Sequence, residues 1–243
     1  MSFFNPARLV LTLLLLSPAA EAADPQRFTS GTGRVSTIEL FTSEGCSSCP
    51  PADAWLSRLK QDPRLWSGLV PMAFHVDYWD YIGWSDRFAS PQYSDRQRTH
   101  QQQGNIRSVY TPGLLVNGRE WRGWFRGGAL PLAEEEAAEL RVSIADTTVS
   151  ATYTGASEPL VFNVALLGCG LSNRVSRGEN AGRELRHDFV VLQQGSQQSA
   201  DGSWRLELPA LHDTSDATRG LAAWVSRPHN LQPLQATGGW LTN

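Results

Sequence analysis

The sequence predicts an α/β domain followed by a mostly antiparallel β-sandwich. Three observations carry that expectation. Val35 to Phe41 is rich in β-formers and ends in Thr42-Ser43-Glu44-Gly45, which reads as a strand entering a turn. A helical pattern and a second apolar run follow it. Near residue 142 the texture changes, and short strand-like runs separated by Gly, Ser, Asn and Asp replace helical spacing.

The first helix is placed by Ala52, Trp55, Leu56 and Leu59, whose spacing is helical. Pro50 and Pro51 fit a first turn, where amide hydrogens have no intrahelical partner. Leu69 to Val76 is the length of a buried strand. Strand, helix and strand in that order predict a βαβ unit with a parallel pair. Residues 77–84 are dense in aromatics, and residues 86–103 read as a polar helical or irregular insert. Asn117-Gly118 after Leu114-Leu115-Val116 signals a hairpin with a return strand over 119–126. Pro131 to Arg141, rich in Glu and Ala, predicts a helix. Val142–Tyr153, Leu160–Leu167, His187–Leu192, Trp204–Leu208 and Leu221–Ser226 are the expected sandwich strands. The domain limits are 24–141 and 142–243.

The chain has 243 residues, 41% of them hydrophobic, enough for a substantial core. Its net charge of -3 offers no basic surface for nucleic acid or an acidic membrane. Arg119, Trp121, Arg122, Trp124 and Arg126 interleave charge with aromatics, which in this setting predicts cation–π contacts on a hairpin. Residues 1–22 have the pattern of a secretory signal peptide: Arg8, the apolar run Leu9 to Leu16, and small residues up to Ala22. The run is short of the roughly 20 residues that span a bilayer. Cleavage near Ala22 would leave a periplasmic or secreted protein with no stable membrane anchor.

Export sets the meaning of the cysteines, because disulfides persist in an oxidising compartment. Cys46 and Cys49 are the natural pair, and Cys169 is left over. A C-x-x-C can be redox-active, structural, or half of a zinc site. His75, Asp77 and Asp80 lack the second close pair that a zinc site requires, so no metal or other cofactor is expected. Copper capture by the two thiols is the alternative from a different class. A static staple in a binding protein is another. If Pro50 opens the helix, Cys49 is its N-cap.

A C-x-x-C between strand and helix, with Thr111-Pro112 before a later strand, resembles the thioredoxin fold. The resemblance makes the first domain thioredoxin-like and makes the Thr111-Pro112 bond cis, in a loop that contacts substrate. It casts Cys46 as nucleophile and Cys49 as the resolving thiol. It also implies that Glu39, on the strand before the pair, is a buried carboxylate that takes the proton of Cys49. Burial would raise the pKa of such a group. Glu39-Leu40-Phe41-Thr42-Ser43-Glu44-Gly45-Cys46 through Asp53 resembles a secreted bacterial family known as domain of unknown function 1223. His75-Val76-Asp77-Tyr78-Trp79-Asp80, Arg96-Gln97, Tyr110-Thr111-Pro112, Gly178-Glu179-Asn180 and Leu185-Arg186-His187 fit the same family. The function so implied is thiol–disulfide exchange on exported protein thiols, small thiols or a redox partner protein.

Overall fold

A computed structural model describes residues 24–209 and 217–242, together with residue 1. The leader assigned to residues 1–22 lies, apart from its first residue, outside the described residues.

The first half begins with β1 (Gln26–Thr29), β2 (Ser36–Thr42), α1 (Pro50–Arg58) and β3 (Leu69–His75). α2 (Pro91–Gln102), β4 (Gly113–Val116) and β5 (Arg119–Glu120) complete it. β2 and β3 run parallel, in register from Ser36↔Leu69 to Thr42↔His75, so the βαβ unit is present. Asn117 and Gly118 both have positive φ, 51° and 72°, and turn β4 back into β5. The return strand is shorter than expected. It ends at Glu120, and a 3-10 turn over Gly123–Arg126 follows, while Trp121 packs on Trp55 of α1.

The second half supplies β6 (Leu140–Ala145), β7 (Thr148–Tyr153), β8 (Leu160–Cys169), β9 (Leu171–Arg174) and β10 (Glu184–His187). β11 (Val190–Ser199), β12 (Ser203–Glu207), β13 (Thr218–Ser226) and β14 (Pro233–Trp240) follow. Here the expected fold class is corrected. The chain is not an α/β thioredoxin-like domain followed by a β-sandwich. It is mostly β, and strands from both halves share one eight-stranded mixed sheet in the order β14-β13-β8-β11-β3-β2-β4-β5. The junction is the parallel contact Val190↔Ala73, where the Ala73 amide donates to the Phe189 carbonyl at 2.8 Å. Strand-forming texture specifies burial on two faces. It does not specify which strand completes an edge.

A four-stranded antiparallel sheet, β1-β6-β7-β12, encloses a second core with one end of the large sheet. Phe162 and Trp204 stack there, ring centroids 5.6 Å apart. The first core lies around β2, β3 and β4 with both helices.

The helix expected over 131–141 is absent. Main-chain groups of that segment bond outward instead. Glu135 accepts from the Arg34 amide, Ala137 donates to Thr32, and the Ala133 amide donates to the Ser36 hydroxyl. Helix propensity of Glu and Ala is outweighed by an edge already offering partners. α2 forms where only a polar insert was legible. Ser90 caps it by accepting from the Gln92 amide, and Pro91 opens it. Its buried side carries Tyr93, Arg96, Gln97 and His100, so apolar spacing does not reveal it.

Candidate functional site

Cys46 and Cys49 form a disulfide at the start of α1. Cys49 is the N-cap, and the turn closes through Cys46 N–H to Ser43 O and Cys49 N–H to Cys46 O. Ser47 and Ser48 are exposed, but the two cysteines are only 1% and 0% exposed. The motif thus shows its hydroxyls to solvent and keeps its sulfurs inside. The Ser48 hydroxyl lies 3.4 Å from the Cys46 sulfur.

Gly45 is required by a close approach. A Cβ there would lie 2.9 Å from the Cβ of Trp79. Gly45→Ala is expected to destabilise the fold by about 1–3 kcal/mol through overpacking. A lowered thermal midpoint checks this. Trp79 also donates its indole N–H to the Thr111 hydroxyl at 2.7 Å. The Thr111–Pro112 bond is cis, and Gln97 holds the loop by donating to the Tyr110 carbonyl. Thr111 and Pro112 therefore join the cysteine turn through Trp79.

Glu39 is buried, but it faces away from the disulfide. Thr37, Glu39 and Phe41 point to the side of β2 that carries α2. There Glu39 accepts from Arg96 Nε at 2.7 Å and lies 3.4 Å from His100 Nε2. Arg96 lies over the Phe74 and Trp224 rings. Burial pushes the Glu39 carboxyl up, yet Arg96 and His100 outweigh it and hold it down at about 2. The raised pKa expected for this residue is corrected: Arg96 and His100 reverse the effect of burial.

The carboxylate on the cysteine side is Asp53, which sequence reasoning missed. It lies one helical turn beyond Cys49, on the same face of α1. Burial raises its pKa, against the attraction of His187 and His75. The spacing Cys-x-x-x-Asp was visible in the sequence, but nothing there showed that this helix position turns inward. Around Asp53 stand two histidine–carboxylate pairs. His75 Nδ1 is 2.7 Å from Asp86 Oδ2, and His187 Nε2 is 3.2 Å from Glu44 Oε1. The two imidazole rings meet edge to face at 4.9 Å. Burial opposes charge on His75, but Asp86 prevails and its pKa is raised. Asp86 is pushed up by burial and held down more strongly by His75.

Glu44 is buried and saturated. Besides His187, it accepts from the Trp84 indole at 2.8 Å and from Asn173 of β9 at 3.0 Å. Its main-chain N–H donates to Asp86. Cys169 is a buried free cysteine. Burial pushes its thiol up to about 12, and the Phe189 amide donates to its sulfur. No cluster of three or more His, Cys, Asp or Glu among the described residues is arranged to hold a metal. In the 119–126 segment Arg122 lies over Tyr110 and Arg126 over Phe125.

A family model described as a protein of unknown function (DUF1223) matches residues 37–226. No curated protein matches. A crystal structure of a protein from Agrobacterium tumefaciens is similar, with 23% identity and a TM-score of 0.59 over 86% of this chain and 94% of that one. HBP35 of Porphyromonas gingivalis is similar over 87% of this chain and 76% of that one, with 16% identity and a TM-score of 0.53. At these identities the likeness concerns the fold alone.

Proposed function

The chain belongs to the DUF1223 family, proteins of unknown function, and from its site we propose that it carries out thiol–disulfide exchange at Cys46–Cys49. One observation carries the reading: the disulfide opens a helix whose next turn holds a buried carboxyl, Asp53, whose pKa burial raises.

In the reductive direction a partner thiolate attacks the Cys46 sulfur. The S–S bond breaks, a Cys46–partner disulfide forms, and Cys49 leaves as a thiolate. Asp53 gives that thiolate its proton. A second partner thiolate then attacks the partner sulfur, releasing Cys46 and completing a two-electron reduction. The oxidative direction is the reverse, with Asp53 accepting the proton from Cys49. Asp53 takes the role that the sequence assigned to Glu39, because Glu39 lies across the sheet in an ion pair. The helix N-terminus favours a transient anion at Cys49. The leader-like pattern of residues 1–22 supports a periplasmic or secreted setting, where protein thiols or small thiols would be the partners.

The reduction potential tests the reading. The folded protein, equilibrated in dithiol–disulfide buffers, is expected to behave as a reversible two-electron couple above about −300 mV. Cys49→Ser is expected to trap a mixed disulfide on Cys46. A couple well below that value, with no trapped adduct, would mean a structural staple.

A further inference from the structure

The sulfurs are buried, so exchange depends on what covers them. Across the turn lies the segment joining β9 to β10, which comes from the other half of the chain. Asn180 is fully buried. Its side-chain N–H2 donates to the Glu44 carbonyl at 2.8 Å and to the Cys46 carbonyl at 3.0 Å. Its own oxygen accepts from Arg183 at 2.7 Å, which fixes which way the amide points. Next to it, exposed Glu179 accepts from the Ser47 amide at 3.1 Å. At the base of the hairpin, Asn173 and His187 both reach Glu44.

These bonds hold the first part of the C-x-x-C turn: Glu44 before it, Cys46 and Ser47 within it. Among the described residues the hairpin pairs with no third strand: β9 and β10 pair with each other. Its connecting segment carries two glycines in the left-handed region, Gly178 and Gly182 at φ of 75° and 83°. The connecting segment, joined to the turn by side-chain bonds, can open locally while the base of the hairpin and the sheet stay folded.

We propose that Asn180 and Glu179 are positioning residues that strap the Cys46 turn shut, so that the rate of exchange is set by release of this strap. The proposal rests on the exchange reading above. Asn180 binds the Glu44 carbonyl and adds a second donor to the Cys46 carbonyl, which also accepts from the Cys49 amide. Glu179 uses the Ser47 amide and places a negative charge beside the attacked cysteine, against the approach of a thiolate. Both effects slow attack on the oxidised protein. Neither distinguishes strongly between the oxidised and reduced turn, so the potential is expected to stay where it is while the rate moves.

The experiment measures reduction of the purified full-length disulfide form by dithiothreitol, together with the potential of each variant. Asn180→Ala is expected to accelerate reduction by about tenfold, the effect of losing two modest hydrogen bonds. Glu179→Gln keeps the shape and loses the charge, and is expected to accelerate it about two- to threefold. Glu179 is exposed, so its variant tests the proposal even if Asn180→Ala fails to fold. Reduction at the native rate in folded variants overturns the strap while leaving exchange intact. So does a rate that moves only in step with the potential. A disulfide that remains oxidised in the native protein and in both variants overturns the strap and the exchange reading together.

Discussion

Replacing Glu39 with leucine is expected to lower folding stability by about 3–5 kcal/mol, the usual effect of stranding one member of a buried ion pair. Arg96 would keep its charge beneath Trp224 and Phe74 with no carboxylate to meet it, and its Nη2 already lacks a hydrogen-bond partner. The double variant Glu39→Leu, Arg96→Met is expected to regain most of the loss, because the buried charge goes with its partner. Urea unfolding at constant m reads both values. The pair also has a pH signature. The Glu39 carboxyl is held at about 2, below its ordinary 4.5, so its contribution is complete above about pH 4.5 and is lost as pH falls toward 2. The leucine variant should lack that acid limb. Undiminished stability in Glu39→Leu would show that α2 holds its place by packing alone.

Asp53→Asn is expected to slow reduction of the disulfide by about a hundredfold, a common size for loss of a general acid. Rates should be expressed per reductant thiolate, which removes the titration of the reagent. The native rate should then fall as pH rises through the raised Asp53 pKa, and the variant rate should stay flat. Stability falls in the same direction. The folded protein holds the Asp53 proton more tightly than the unfolded chain does, whose carboxyl titrates near 3.8. The contribution of this group is therefore complete below about that pH and is lost as pH rises through the folded value. The variant should show no such loss, and at neutral pH it should be at least as stable as the native protein. A slow variant that is equally or more stable separates a proton-transfer role from a packing one. An Asp53→Asn protein with the native normalised rate would remove Asp53 from the chemistry.

The sequence made the cysteine turn legible because its determinants are local. Two prolines after Cys49, apolar spacing at 52, 55, 56 and 59, and Asn117-Gly118 each act over a few residues. The β-runs of the second half were also visible one by one. Their partners were not, because Val190 meets Ala73 across more than a hundred residues and nothing in either run names the other. The same limit misplaced Glu39. Alternation showed that it stands opposite Ile38 and Leu40, but not which side of the sheet carries α1. α2 was hard to read because its buried face is Tyr93, Arg96, Gln97 and His100, whose polarity is answered by Glu39, Tyr78, Tyr110 and Val191 elsewhere. The 131–141 segment failed in the opposite sense. Its composition favours a helix, and its neighbours Thr32, Arg34 and Ser36 provide better partners.

The shared sheet also dictates an order of events during synthesis. Chains emerge amino end first, and β3 waits for β11 to cover its outer edge. Until residue 190 has appeared, that edge offers unpaired amides and carbonyls to any other strand nearby. Over the same interval Cys46 and Cys49 are present without Glu179 and Asn180. The young chain is therefore both more reactive and more adhesive than the finished one. A chain truncated before β11 should aggregate, with its cysteines readily alkylated, because a strand made late sheathes one made early.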